Sequence, residues 1–117
     1  MTSELYNLVR ARITTDDLDA FKTQAKKMKD ATTDEPGTLL YDFFINEESR
    51  EVLIIEKYAD GKSFMAHMNK FTQPEYIPTL LEMQEITGIE MPGYVADEVK
   101  GLFAQGGWPY NGYPTAI

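Results

Sequence analysis

The segment from Gly37 to Tyr58 constrains this chain more than any other. Gly37–Asn46 and Arg50–Tyr58 are both rich in β-branched and aromatic residues, and the polar Glu47-Glu48-Ser49 joins them, so the pattern predicts an antiparallel hairpin. A half-exposed hairpin alternates apolar and polar residues. This one is apolar on both sides. Leu39, Tyr41, Phe43 and Ile45 share one face of the first strand, with Leu40 and Phe44 on the other; Val52 and Ile54 stand opposite Leu53 and Ile55 in the second. A sheet containing this hairpin must be covered twice. Helices from a chain of 117 residues can supply one cover. A second copy stacked sheet to sheet is the economical source of the other, because a large exposed apolar face marks an interface. A homodimer through the sheet faces is therefore expected.

The flanking elements complete the sheet. Leu5–Ile13 alternates, with Leu5, Asn7, Val9, Ala11 and Ile13 on one face, and reads as a strand. Thr14-Thr15-Asp16-Asp17 suits a helix start. Leu18, Phe21, Ala25 and Met28 then recur at helical spacing up to a stop near Asp30–Thr33, and Lys22, Lys26, Lys27 and Lys29 form a solvated face. After Ala59-Asp60-Gly61, Phe64, His67, Met68 and Phe71 fall at i, i+3, i+4 and i+7 on one helix face. A second short helix is expected from Glu75 or Pro78 to Ile86, with Ile77, Leu80, Leu81 and Gln84 inward, and a last strand within Ile89–Val99. The order β-α-β-β-α(α)-β is the α+β, ferredoxin-like arrangement: a four-stranded antiparallel sheet with helices on one face.

One domain is expected, residues 1–100, followed by an uncharged tail, 101–117, with Phe103, Trp108, Tyr110 and Tyr113. The tail is too aromatic for a solvated end and is expected to pack on the domain or on the partner subunit. A net charge of −8 argues against nucleic acid and against an anionic membrane surface as partners. The absence of cysteine excludes disulfides, thiolate metal sites and cysteine nucleophiles, and one histidine is too few for an ordinary protein-held transition metal. No apolar run approaches a membrane span and no signal peptide is visible, so a soluble, cytoplasmic protein is expected.

The turn Glu35-Pro36-Gly37, the strand residue Tyr41, the strand end Glu56-x-Tyr58 and the helix start Ser63-Phe64-x-Ala66-His67 form an ordered pattern, EPG…Y…E-x-Y-x-D…SF-x-AH. This pattern resembles the antibiotic biosynthesis monooxygenase family, small dimeric α/β-barrel proteins, over roughly Leu5–Val99. The resemblance implies two sheets packed face to face across a dimer, forming the dimeric α/β barrel, and a pocket between sheet and helices in each subunit. Family members include cofactor-independent oxygenases of quinol- and anthrone-like phenols, haem-degrading enzymes, enzymes that isomerise or degrade small signalling molecules, and proteins with no established activity. Haem degradation in the family draws on a tryptophan and a second histidine on the helical side, and this sequence has neither there.

Each candidate residue has a plain reading beside a functional one. His67 is either a core histidine bonded to a backbone carbonyl or a pocket residue that binds a phenol and shuttles its proton. Asn7, the one polar residue on its strand face, is either a satisfied structural amide or a hydrogen-bond partner for substrate or dioxygen. Glu56 is either an ion-pair partner of Arg10 or Arg12 or a base with a raised pKa, and it shares a strand end with Tyr58. Tyr41, Phe64, Met68 and Phe71 are expected as core and pocket wall, and Met65, Met68, Met83 and Met91 as pliable lining. The expected function is a monooxygenase without cofactor that acts on a small aromatic molecule with dioxygen. His67, Asn7 and Tyr58 are its catalytic candidates; Tyr41, Glu56, Phe64, Met68 and Phe71 are its substrate contacts. The alternatives are a non-catalytic, stress-related ligand-binding module of the same fold, or an isomerase or degrading enzyme for a small carbonyl compound.

Overall fold

A computed structural model describes residues 3–117. The elements run β1 (Leu5–Ile13), α1 (Leu18–Ala31), β2 (Thr38–Asn46), β3 (Glu51–Tyr58), α2 (Gly61–Phe71), α3 (Ile77–Leu81), β4 (Gln84–Pro92), α4 (Asp97–Gly106) and β5 (Asn111–Tyr113). They build an open five-stranded sheet ordered β2-β3-β1-β4-β5. The first four strands pair antiparallel; the short β5 adds to the β4 edge in parallel. This is the expected ferredoxin-like α+β fold with one extra strand.

Local chemistry accounts for most boundaries. Asp17 caps α1 by accepting a hydrogen bond from the Ala20 amide at 3.0 Å, and Asp60 caps α2 through the Ser63 amide at 2.8 Å. At the β2–β3 hairpin, Asn46 Oδ1 accepts from the amides of Glu48 and Ser49, and Arg50 closes the turn with a φ of 66°. Gly37 lies against α2. A Cβ there would stand 2.1 Å from Ser63 Oγ, so only glycine lets the 35–37 turn dock on that helix.

The core lies between the inner sheet face and the helices. Val9, Ala11, Ile13, Val52 and Ile54 meet Phe21, Ala25 and Met28 of α1 and Phe71 of α2. A second cluster joins Leu5, Tyr58, Ile89 and Met91 to Phe64 and Met68 of α2 and to Val99 and Phe103 of α4. Among the described residues the outer sheet face carries no helix. Register aligns Phe44, Leu53 and Arg10 there, and beside them Asp42, Ile55 and Leu8. Phe44 is 55% exposed. Leu39 is exposed too, because a register shift between Thr38 and Leu40 turns it out of the inner row.

The C-terminal half departs from the sequence reading. The helix expected to reach Ile86 ends at Leu81, and β4 begins at Gln84 rather than within Ile89–Val99. Thr14 and Thr15 both donate backbone hydrogen bonds to the Met83 carbonyl, which ties the chain to the β1 edge as soon as α3 ends. The segment after Pro92 forms α4, whose buried Val99 and Phe103 pack on α2, and β5, anchored where the Gly93 amide donates to the Tyr113 carbonyl at 2.8 Å.

Candidate functional site

Cross-strand register sets a polar row into the apolar inner face. Tyr41 on β2 pairs with Glu56 on β3, and Glu56 pairs with Asn7 on β1. The next row, Phe43, Ile54, Val9 and Ile89, is wholly apolar. Above these rows stand Phe64, His67 and Met68 of α2, Ile77, Leu80 and Leu81 of α3, Phe103 of α4 and Trp108 beyond it. Between floor and roof lies a cavity in which water-sized centres can occupy about 70 Å³, several times the ~10–15 Å³ needed by one water. An outer vestibule shares Leu81, Ile86, Ile89 and Trp108 with it, so these residues rim the way in.

Glu56 is the chemically distinctive group. It is 5% exposed and, among the described residues, has no basic partner. The expected pairing with Arg10 or Arg12 does not occur. Both arginines point from the opposite sheet face, where Arg10 meets Glu90 at 3.2 Å and Arg12 meets Glu85 at 2.6 Å. Glu56 instead accepts the Tyr58 hydroxyl at 2.5 Å and the Asn7 amide at 3.3 Å, both on Oε1. Among the described residues no side chain or amide donates to Oε2. Burial pushes the carboxyl pKa up to about 7, and the two hydrogen bonds moderate that rise. Burial also raises the Tyr41 and Tyr58 phenols, with the nearby Glu56 charge adding to it, so both stay protonated.

His67 is 2% exposed and lines the same cavity. Its partner is not a backbone carbonyl. Nδ1 lies 2.8 Å from Glu35 Oε1, and Thr38 Oγ1 donates to the same carboxylate at 2.7 Å, with Lys70 Nζ 3.2 Å from Oε2. Burial holds the imidazole below its usual pKa against the opposing pull of Glu35. Burial disfavours the Glu35 carboxylate as well, but its hydrogen bonds outweigh this and keep its carboxyl below the ordinary range. A neutral ring donating from Nδ1 is the consistent state, which leaves Nε2 as an acceptor. The turn and helix portions of the sequence pattern are thus joined physically: Gly37 permits the docking and Glu35 orients the histidine.

Of the eight residues singled out in the sequence, Asn7, Tyr41, Glu56, Phe64, His67 and Met68 line the cavity. Tyr58 reaches it only through Glu56, and Phe71 lies behind the wall, stacked on Tyr76 with centroids 4.8 Å apart. Sequence reasoning missed the roles of Glu35, Gln84, Phe103 and Trp108. Glu35 stood in the pattern without a task. Gln84 was expected on a helix, and the aromatic tail had no register to place it. Among the described residues no group of three or more His, Asp or Glu side chains is arranged to hold a metal ion, and no helix is long and apolar enough to cross a membrane.

Comparison with known proteins agrees with this architecture. Residues 5–78 match the sequence profile of the family described as antibiotic biosynthesis monooxygenase. The fold is similar to that of MupZ from Pseudomonas fluorescens, at 20% identity and a TM-score of 0.85 over 100% of this chain and 88% of that one. It is also similar to an antibiotic biosynthesis monooxygenase of known structure (21%, 0.64, covering 79% and 99%) and to a protein of Bacteroides thetaiotaomicron described as a possible oxidoreductase (20%, 0.67, covering 78% and 97%). No curated protein matches in sequence. The MupZ likeness spans α4 and β5 as well as the domain that precedes them.

Proposed function

The chain belongs to the antibiotic biosynthesis monooxygenase family, and from that premise we propose that it oxygenates a small aromatic hydroxyl compound, a quinol or an anthrone, using dioxygen and no metal or flavin. The observation that carries this reading is Glu56, a carboxyl with a pKa near 7 at the polar end of an apolar cavity, with one oxygen held by Tyr58 and Asn7 and the other unoccupied. Such a group takes a proton from a weakly acidic substrate near neutral pH. The resulting carbanion or phenolate is electron-rich enough to reduce dioxygen.

For an anthrone the balance closes within the pocket. Glu56 Oε2 takes one proton from the CH₂ carbon. The carbanion passes an electron to dioxygen, and the radical pair joins to form a carbon–peroxide bond. Glu56 returns the proton to the peroxide. Loss of the remaining C–H proton with cleavage of the O–O bond leaves C=O and water. All four electrons that reduce dioxygen come from the substrate carbon, and one oxygen atom stays on it while the other leaves as water. Asn7 and Tyr58 fix the base. His67, oriented by Glu35, offers Nε2 to the substrate hydroxyl, and Phe64, Met68 and Ile89 hold the ring.

The test is oxygen uptake with a panel of hydroquinones and anthrones. Wild type is expected to consume oxygen, with Glu56→Gln at least a hundredfold slower and His67→Ala about tenfold slower. Equal rates for Glu56→Gln and wild type would remove the proposed base. A second reading, proton transfer without oxygen as in an isomerase for a small carbonyl compound, draws on the same raised carboxyl beside a neutral imidazole. Turnover that persists under nitrogen would favour it.

A further inference from the structure

Two side chains that line the cavity each carry a buried acceptor without a partner among the described residues, Asn7 Oδ1 and Gln84 Oε1. Each belongs to a side chain no more than 5% exposed. The Asn7 amide cannot turn to resolve its share, because its nitrogen is engaged by Glu56. A buried acceptor without a donor is costly to leave. Glu56 Oε2 adds a third acceptor beside Asn7.

These acceptors are not together. Val9 pairs with Ile89 and Ile13 with Gln84, so Asn7 and Gln84 sit on neighbouring strands six positions apart along β1. That is roughly 20 Å between backbone positions at ~3.3 Å per residue, shortened by two side chains that lean into one cavity. Between them the lining is apolar: Val9, Ile54, Ile89, Leu80 and Phe103. Among the described residues no lysine or arginine lines the cavity.

We propose that the site takes an uncharged, elongated molecule that carries a hydrogen-bond donor at each end, one hydroxyl or N–H toward Asn7 and Glu56 and the other toward Gln84. The inference rests on the reading of this cavity as the substrate site and adds the ligand's class to it. A carboxylate or phosphate at either end is rejected, because no lysine or arginine of the cavity answers its charge, and at the Asn7 end it would lie beside the Glu56 carboxyl. An apolar body without the distal donor leaves Gln84 unpaired.

Calorimetric titration without dioxygen tests this on three rigid probes built on one biphenyl core: para-phenylphenol with one hydroxyl, para,para′-biphenol with two, and the hydroxybiphenyl carboxylate. Biphenol is expected to bind wild type about tenfold tighter than either of the others. In Gln84→Leu, and in Gln84→Met should the first variant not fold, its advantage over phenylphenol disappears while phenylphenol binds at least as well as before. Equal binding of biphenol and phenylphenol to wild type, tighter binding of the carboxylate, an advantage that survives in the Gln84 variants, or no binding of any probe would each overturn the proposal. Because the readout is binding without oxygen, its failure leaves oxygenation untouched. Tight biphenol binding without oxygen uptake would defeat the oxygenase reading alone.

Discussion

At the scale of the residue, Glu56 links stability to chemistry. Its pKa of about 7 lies above the ordinary 4.5, so folding favours its protonated form. The corresponding stability is complete below pH 4.5 and is lost as pH rises through about 7. The difference amounts to roughly 3 kcal/mol at pH 8. Glu56→Gln keeps an oxygen to accept from Tyr58 and Asn7 but cannot ionise. It is expected to melt at a higher temperature than wild type at pH 8 and at nearly the same temperature at pH 4.5. Scanning calorimetry at the two pH values checks this; a lower melting temperature at pH 8 would mean that the charge is structural. Glu56 and Asn7 were legible as candidates because each interrupts an apolar strand face. Which partner Glu56 would choose was not legible. Both arginines of β1 are within sequence reach, and only the alternation of side chains across the sheet sends them to the other face.

At the scale of the element, the Glu35–Gly37 turn and the C-terminal arm position the site. Gly37→Ala would drive a Cβ into Ser63, whose own Cβ lies 2.4 Å from that point. The turn must then lift from α2, carrying Glu35 away from His67. The expected loss is about 1–3 kcal/mol, read by denaturant unfolding, together with an imidazole pKa that falls further below 6.5 by NMR, because the upward pull of Glu35 is lost. A variant as stable as wild type would contradict the docking. Trp108 closes the rim of the cavity. Trp108→Ala admits water, so the Glu56 pKa is expected to fall toward the carboxylate range, and the pH–rate midpoint should fall with it. The early elements were readable because their periodicities are clean: Leu5–Ile13 is a strand over the range its alternation marks, and Phe64, His67, Met68 and Phe71 are all buried together. The later ones were not. In β4, Glu85, Ile86 and Thr87 are all exposed beside a register shift, which erases the period of two. The α4–β5 arm is held by tertiary contacts of Phe103 and by edge pairing, which local propensity does not encode.

At the scale of the molecule, the helices cover one sheet face and, among the described residues, leave the other bare. Phe44, Leu53, Ile55 and Leu8 form the apolar centre of that bare face, and a second copy is proposed as its cover. Light scattering at micromolar concentration is expected to give twice the chain mass, and Phe44→Glu to shift the protein to monomer at the same concentration. A wild-type monomer would contradict the proposal. The need for a second cover is legible in the residues alone, since Leu40, Phe44, Leu53 and Ile55 make the second side of the hairpin as apolar as the first.

The oxygenase reading turns on a carboxyl inside the cavity that titrates near neutrality with one oxygen turned to the substrate. Carbon-13 NMR titration of the Glu56 side-chain carboxyl, assigned by its disappearance in Glu56→Gln, measures this directly. A midpoint at about 7 is expected. A midpoint near the ordinary 4.5 would contradict it and leave the site without its base.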